Sequence, residues 1–94
     1  MFKLGTNGFS MTFENEYSVS VRWHKCTNYV TGRVMRFNTL SEIESMAEDS
    51  IDAEVAVLDP ESNFIMTPFN EYDTVIGFTS PKDVLKIMEW AAAL

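Results

Sequence analysis

Two short stretches alternate apolar and polar residues with a period of two: Phe9-Ser-Met11-Thr-Phe13 and Tyr17-Ser-Val19-Ser-Val21-Arg-Trp23. In extended backbone, successive side chains point to opposite faces. Each stretch therefore turns its odd-numbered residues one way and Ser10, Thr12, Ser18, Ser20 and Arg22 the other. Both are rich in the β-branched and aromatic residues that suit a pleated, half-buried surface. Only the polar link Glu14-Asn15-Glu16 separates them, so the pair predicts a β-hairpin. A dry face and a wet face on the same strands predict an antiparallel sheet covered on one side.

The rest of the chain supplies further strands and the cover. Ala53-Glu-Val55-Ala-Val57-Leu58 predicts a strand, Asp59-Pro60-Glu61-Ser62-Asn63 a turn, and Phe64-Ile65-Met66 the returning strand. Asn70 to Asp73 predicts a second turn and Val75-Ile76-Gly77-Phe78 another strand. Ser80-Pro81-Lys82-Asp83 announces a helix, with Ser80 as N-cap, proline in the first helical position and an acid in the first turn. On a helical wheel, Val84, Leu85, Met88, Ala91 and Ala92 form the central apolar stripe, while Ile87, Trp90 and Leu94 flank it. Residues 24–39 lack a clean period and predict a loop, with a short strand around Val34 to Phe37. Ser41 and Glu44 have capping-box spacing, which predicts a short helix near 41–49. The expected fold is α+β: an antiparallel sheet of about four to five strands, a C-terminal helix on one face and the short helix near 41–49. Ninety-four residues make this a single domain, 1–94.

An apolar fraction of 46% is ample for a packed core. Cys26 is the only cysteine, so the core must stand without an internal disulfide, as in a reducing compartment. Residues 1–10 hold no continuous apolar stretch, so no signal peptide is expected. No run approaches the roughly 18 apolar residues that a membrane span needs, and no membrane partner is expected. The formal net charge of −7 is unevenly placed. Met1 to Arg36 carries Lys3, Arg22, Lys25, Arg33 and Arg36 against Glu14 and Glu16. Phe37 to Pro81 carries no Lys or Arg and every acid from Glu42 to Asp73. Lys82 to Leu94 is balanced. A basic first third beside a wholly anionic middle is the strongest signal outside the fold itself.

The run Phe9-Ser-Met-Thr-Phe13-Glu-Asn15-Glu-Tyr17-Ser-Val-Ser-Val21-Arg-Trp23 resembles the opening of small, mostly uncharacterised proteins encoded by tailed bacteriophages. Asn28-Tyr29 matches a pair common in them, and Ala53-Glu-Val55-Ala-Val57 their central strand. Gly77-Phe78-Thr-Ser80-Pro81-x-x-Val84 resembles their helix start. The likeness covers about half of the chain. Glu16 departs from it, because those proteins commonly carry glycine there. The matching positions are strands, turns and a cap, so the resemblance implies a shared fold and names no activity. It also implies a phage accessory protein, located in the cytoplasm of an infected bacterium.

His24 and Cys26 are the only histidine and cysteine, and would share one side of an extended strand. No second such ligand exists to complete a zinc site, and no Gly-rich phosphate loop or nucleophile elbow is present. The expectation is a protein that is not an enzyme and uses no metal or cofactor. Three binding surfaces follow from the pattern. The acids Glu42, Glu44, Glu48, Asp49, Asp52, Glu54, Asp59 and Glu61 are the expected contact for a host or phage protein, inhibiting a bacterial enzyme or defence system by occluding a basic surface. Arg22, Lys25, Arg33 and Arg36, interleaved with Trp23, Tyr29 and Phe37, suit single-stranded nucleic acid, against which the acidic balance argues. Ile87, Trp90 and Leu94 would serve a homodimer, or else complete the monomer core.

Overall fold

The computed structural model describes residues 1–5, 8–23 and 51–94. The strand near 34–37 and the helix near 41–49 lie outside the described residues. Five strands and one helix follow in chain order: β1 (Phe2–Gly5), β2 (Gly8–Thr12), β3 (Ser18–Arg22), β4 (Ala53–Leu58), β5 (Val75–Thr79) and α1 (Pro81–Ala92). The strands form one sheet in the order β1-β2-β3-β4-β5, with every neighbouring pair antiparallel. The fold is α+β, as the alternation implied.

The register explains where the core sits. Phe9 pairs with Val21 and Met11 with Val19, while Val19 pairs with Val57 and Val21 with Val55. The odd-numbered apolar residues of three strands therefore share one face. Helix α1 lies on that face: Ile87 and Ala91 are buried against Val19, Val55 and Val57, which have no exposed surface. Each such aliphatic side chain removed from water contributes about 1.5–3 kcal/mol. The helix start follows the expected chemistry, since Ser80 Oγ accepts the Asp83 N–H (3.3 Å) and Pro81 occupies the first turn.

The β2–β3 link closes tightly. The Glu16 N–H donates to the Phe13 carbonyl and the Phe13 N–H to the Tyr17 carbonyl, both at 2.9 Å. Glu16 itself takes φ 69°. This is the three-residue hairpin loop, a turn followed by a left-handed residue. Glu16 thus keeps the backbone form for which glycine is suited. Asn15, at the tip, reaches across the molecule. Its Nδ2 donates to the carbonyls of Ala91 (2.8 Å) and Leu94 (3.2 Å), and its Oδ1 accepts the Tyr17 N–H. Carbonyls in the last turn of a helix lack the usual donor four residues on; that of Ala91 accepts the Leu94 N–H (3.3 Å) together with the hairpin side chain.

Three expectations are corrected. First, Phe64-Ile65-Met66 is not a strand. It makes a bridge from Leu58 to Phe64, and the Ile65 N–H donates to the Val57 carbonyl. One edge of β4 belongs to β3, and the first four residues of the other edge belong to β5 through Ala53–Thr79, Val55–Ile76 and Ala56–Val75. Only the last two residues of β4 remain for the returning chain. Second, the fifth strand is β1, paired to β2 from Phe2–Met11 to Gly5–Gly8. Gly8 is required where β2 meets β3: a Cβ there would stand 1.9 Å from the Val21 carbonyl oxygen. Third, the buried side of α1 is centred on Ile87 and Ala91, while Leu85 is 62% exposed and Ala92 is exposed. The helix is apolar around most of its circumference, so a wheel cannot fix its orientation; the sheet does.

Candidate functional site

Strand order in space equals chain order. Among the described residues, the acids of the cation-free stretch, from Asp52 to Asp73, therefore fall on one side of the sheet. Lys3 sits on β1 at one edge, and the described part of the cation-free stretch forms β4, β5 and their connection at the other. The acids on that side have different roles. Glu54 stands directly across from Arg22, on the sheet face turned away from α1. Opposite charges so placed contribute roughly 0.2–1 kcal/mol to the sheet. Asp59 is a turn residue: its Oδ1 accepts the N–H groups of Glu61 (3.0 Å) and Asn63 (2.9 Å). Ser62 completes that turn with φ 66°. Asp52 is half-buried and Glu61 is exposed. Glu42, Glu44, Glu48 and Asp49 lie outside the described residues. Of the four that are described, Glu61 alone points freely into solvent; the others sit in the sheet, a turn and the wall of a groove.

The β4–β5 connection holds itself through side-chain to backbone bonds. Thr67 and Asn70 form a bridge, and Thr67 Oγ1 accepts the Phe69 N–H at 3.2 Å. Asn70 donates from Nδ2 to the Val75 carbonyl (2.7 Å) and accepts the Tyr72 N–H (2.9 Å). Asp73 Oδ1 accepts the Val75 N–H at 3.2 Å. On this scaffold, Phe64 (57%), Met66 (51%) and Tyr72 (87%) are exposed. These residues were not among the candidates from sequence, where Phe64 and Met66 were assigned to a strand.

The other candidates separate as well. Ile87 is 1% exposed and belongs to the core. Trp90 is half-buried and meets the Phe69 ring edge-on, with centroids 6.2 Å apart. Leu94 alone of the three is exposed. Arg22 and Trp23 do not form one stacking platform. Trp23 packs on the core side, whereas Arg22 lies on the opposite face with its Nε donating to Ser20 Oγ. His24, Cys26, Lys25, Tyr29, Arg33, Arg36 and Phe37 lie outside the described residues. An apolar groove of about 420 Å³ runs between α1 and the β2–β3 end of the sheet. Its walls include Phe9, Trp23, Val84, Leu85 and Met88, with Asp52 beside them.

Among the described residues no helix is long and apolar enough to cross a membrane. Comparison with protein-family models, with curated proteins and with solved structures finds no match.

Proposed function

We propose that this chain is a non-enzymatic accessory protein of a tailed bacteriophage that works by binding another protein through its anionic side, occluding a basic surface of a host enzyme or defence factor. The observation that supports this reading is the placement of the described acids: strands in chain order set residues 51–79, which hold no Lys or Arg, on the side of the sheet away from Lys3. A field of one sign over one side steers a cationic partner and repels nucleic acid. The separation of Arg22 from Trp23 across the sheet weighs against the single-strand alternative. The phage assignment is supported by the hairpin and helix-start residues described above.

A tagged pull-down from nuclease-treated bacterial lysate, at low and high salt, tests the reading. A variant with Glu42, Glu44, Glu48 and Asp49 each replaced by lysine runs beside the wild type. The expected result is a protein captured by the wild type, released at high salt and not captured by the variant. Retention of nucleic acid in its place, or no salt-sensitive capture, would defeat the proposal.

A further inference from the structure

We propose that the outward side of the β4–β5 connection, formed by Phe64, Met66 and Tyr72 with Glu61 and Glu71, is the docking surface for a cationic amphipathic helix of a partner protein. This inference rests on the protein-binding reading above and gives it a site. Exposure alternates along the chain: Phe64 is 57% exposed, Ile65 packs on the core, Met66 is 51% exposed and Thr67 only 7%. Phe64 and Met66 therefore present their side chains on one side of an extended segment. The Thr67–Asn70 bridge folds the chain back, so that Met66 and Glu71 flank the bridged pair. The residues next to that pair, Met66 and Glu71, are both exposed, and Tyr72 beyond them is 87% exposed. Isolated exposed apolar residues are ordinary; here Phe64, Met66, Phe69 and Tyr72 are exposed within one connection, and Met1, Phe2 and Leu4 form a second such group at the far edge of the sheet.

The charge selects the occupant. Glu61 and Glu71 are exposed, and no lysine or arginine lies between Phe37 and Pro81 to balance them. A second copy would bring the same acids to the contact, and nucleic acid or an anionic membrane would be repelled as well. A partner with lysine or arginine around apolar side chains complements both features. The edge of the sheet on this side, β5, favours a helix over an added strand. The end of β4 is already bridged by Phe64, and β5 carries an irregularity opposite Glu54, with Phe78 at φ 52°. Bulges of this kind blunt an edge against strand addition. Phe64 and Met66, two residues apart in extended chain, match the spacing of neighbouring side chains on one helix face.

The test uses the whole chain and a synthetic amphipathic peptide of leucine and lysine. A leucine–glutamate peptide of the same pattern and a scrambled leucine–lysine peptide serve as controls. Titration followed by amide chemical shifts should show saturable binding of the first peptide alone, with the largest changes in residues 61–72. Phe64→Ser and Tyr72→Ser should each weaken it by at least about tenfold, the scale of a single contact anchor. Glu61→Lys combined with Glu71→Lys should do the same, and all variants should keep the wild-type melting curve because the positions are exposed. Equal binding by the scrambled or acidic peptide, shifts centred on the groove beside α1, or undiminished affinity in Phe64→Ser and Tyr72→Ser would overturn the site. A lysate partner lost with the 42–49 charge reversal but retained by Phe64→Ser and Tyr72→Ser would sink this site and leave the proposed function standing. Site-specific peptide binding without any salt-sensitive lysate partner would do the reverse.

Discussion

The β2–β3 link and the β4–β5 connection both reverse the chain, and they do it by opposite means. The first is three residues long between Phe13 and Tyr17, and its Asn15 is joined to the far end of the chain, at Ala91 and Leu94. The second occupies residues 59–74, and its polar side chains (Asp59, Asn70 and Asp73) bond to backbone only two to five residues away. The short link uses its side chain for the tertiary structure and leaves no apolar surface to display. The long one satisfies its own backbone locally, which frees Phe64, Met66 and Tyr72 from any part in the core. One reversal serves the fold, and the other is available for recognition.

The comparison depends on a core built mainly by the sheet and α1, to which the connection adds Ile65 and the buried Thr67, and the largest expected effect tests that core. Ile87 is 1% exposed between the sheet and α1, so Ile87→Ala removes buried carbon and leaves a cavity. Unfolding stability should fall by about 2–5 kcal/mol. Leu85→Ala, on the same helix but 62% exposed, should change it by less than about 1 kcal/mol. Urea denaturation of both variants checks the difference. Equal losses would mean that α1 is turned on the sheet and that Leu85, not only Ile87, faces the core.

The two links can then be set against each other directly. Asn15→Ala removes the part-buried side-chain contacts to the Ala91 carbonyl and the Tyr17 N–H and the exposed one to the Leu94 carbonyl. It should lower stability by about 1–3 kcal/mol. Hydrogen exchange should quicken both at the hairpin and in the last turn of α1. Asp59→Ala also removes two acceptor contacts, but these are exposed and local. Its expected cost is about 0.5–1.5 kcal/mol, with faster exchange confined to residues 59–63. If exchange at α1 responded equally to both variants, the connection would be part of the cooperative core and the contrast would collapse.

How much of this was legible beforehand follows the same division. The β2–β3 hairpin could be read because a period of two and a polar link are local properties, and so could the Ser80-Pro81 helix start. Strand β1 was missed because Phe2-Lys3-Leu4 is a short alternation; the two glycines that end β1 and begin β2, Gly5 and Gly8, were the available signal of a reversal. Phe64-Ile65-Met66 has strand propensity, but β5 competes for the same edge of β4, and no local window contains that competition. The acids were legible as a count. Their division into the sheet partner Glu54, the turn residue Asp59 and the exposed Glu61 required the register, although Asp-Pro-x-Ser-Asn is turn chemistry and already pointed to the role of Asp59.

The smallest effect concerns the two left-handed residues, Glu16 in the short link and Ser62 in the long one, at φ 69° and 66°. A side chain other than glycine in this region carries a penalty of about 1–2 kcal/mol, because its Cβ crowds the following carbonyl. Glycine removes that crowding but gives the unfolded chain more freedom, which offsets roughly 0.4–1 kcal/mol. Glu16→Gly should therefore stabilise the protein by a few tenths to about 1 kcal/mol, seen as a higher urea midpoint with an unchanged slope. Both residues are exposed, so Ser62→Gly should gain a similar amount. Loss of stability in Glu16→Gly with a gain in Ser62→Gly would show that the Glu16 side chain supports the Asn15 contact with α1. In that case the short link would owe its tertiary role to two side chains, and the contrast with the long connection would sharpen.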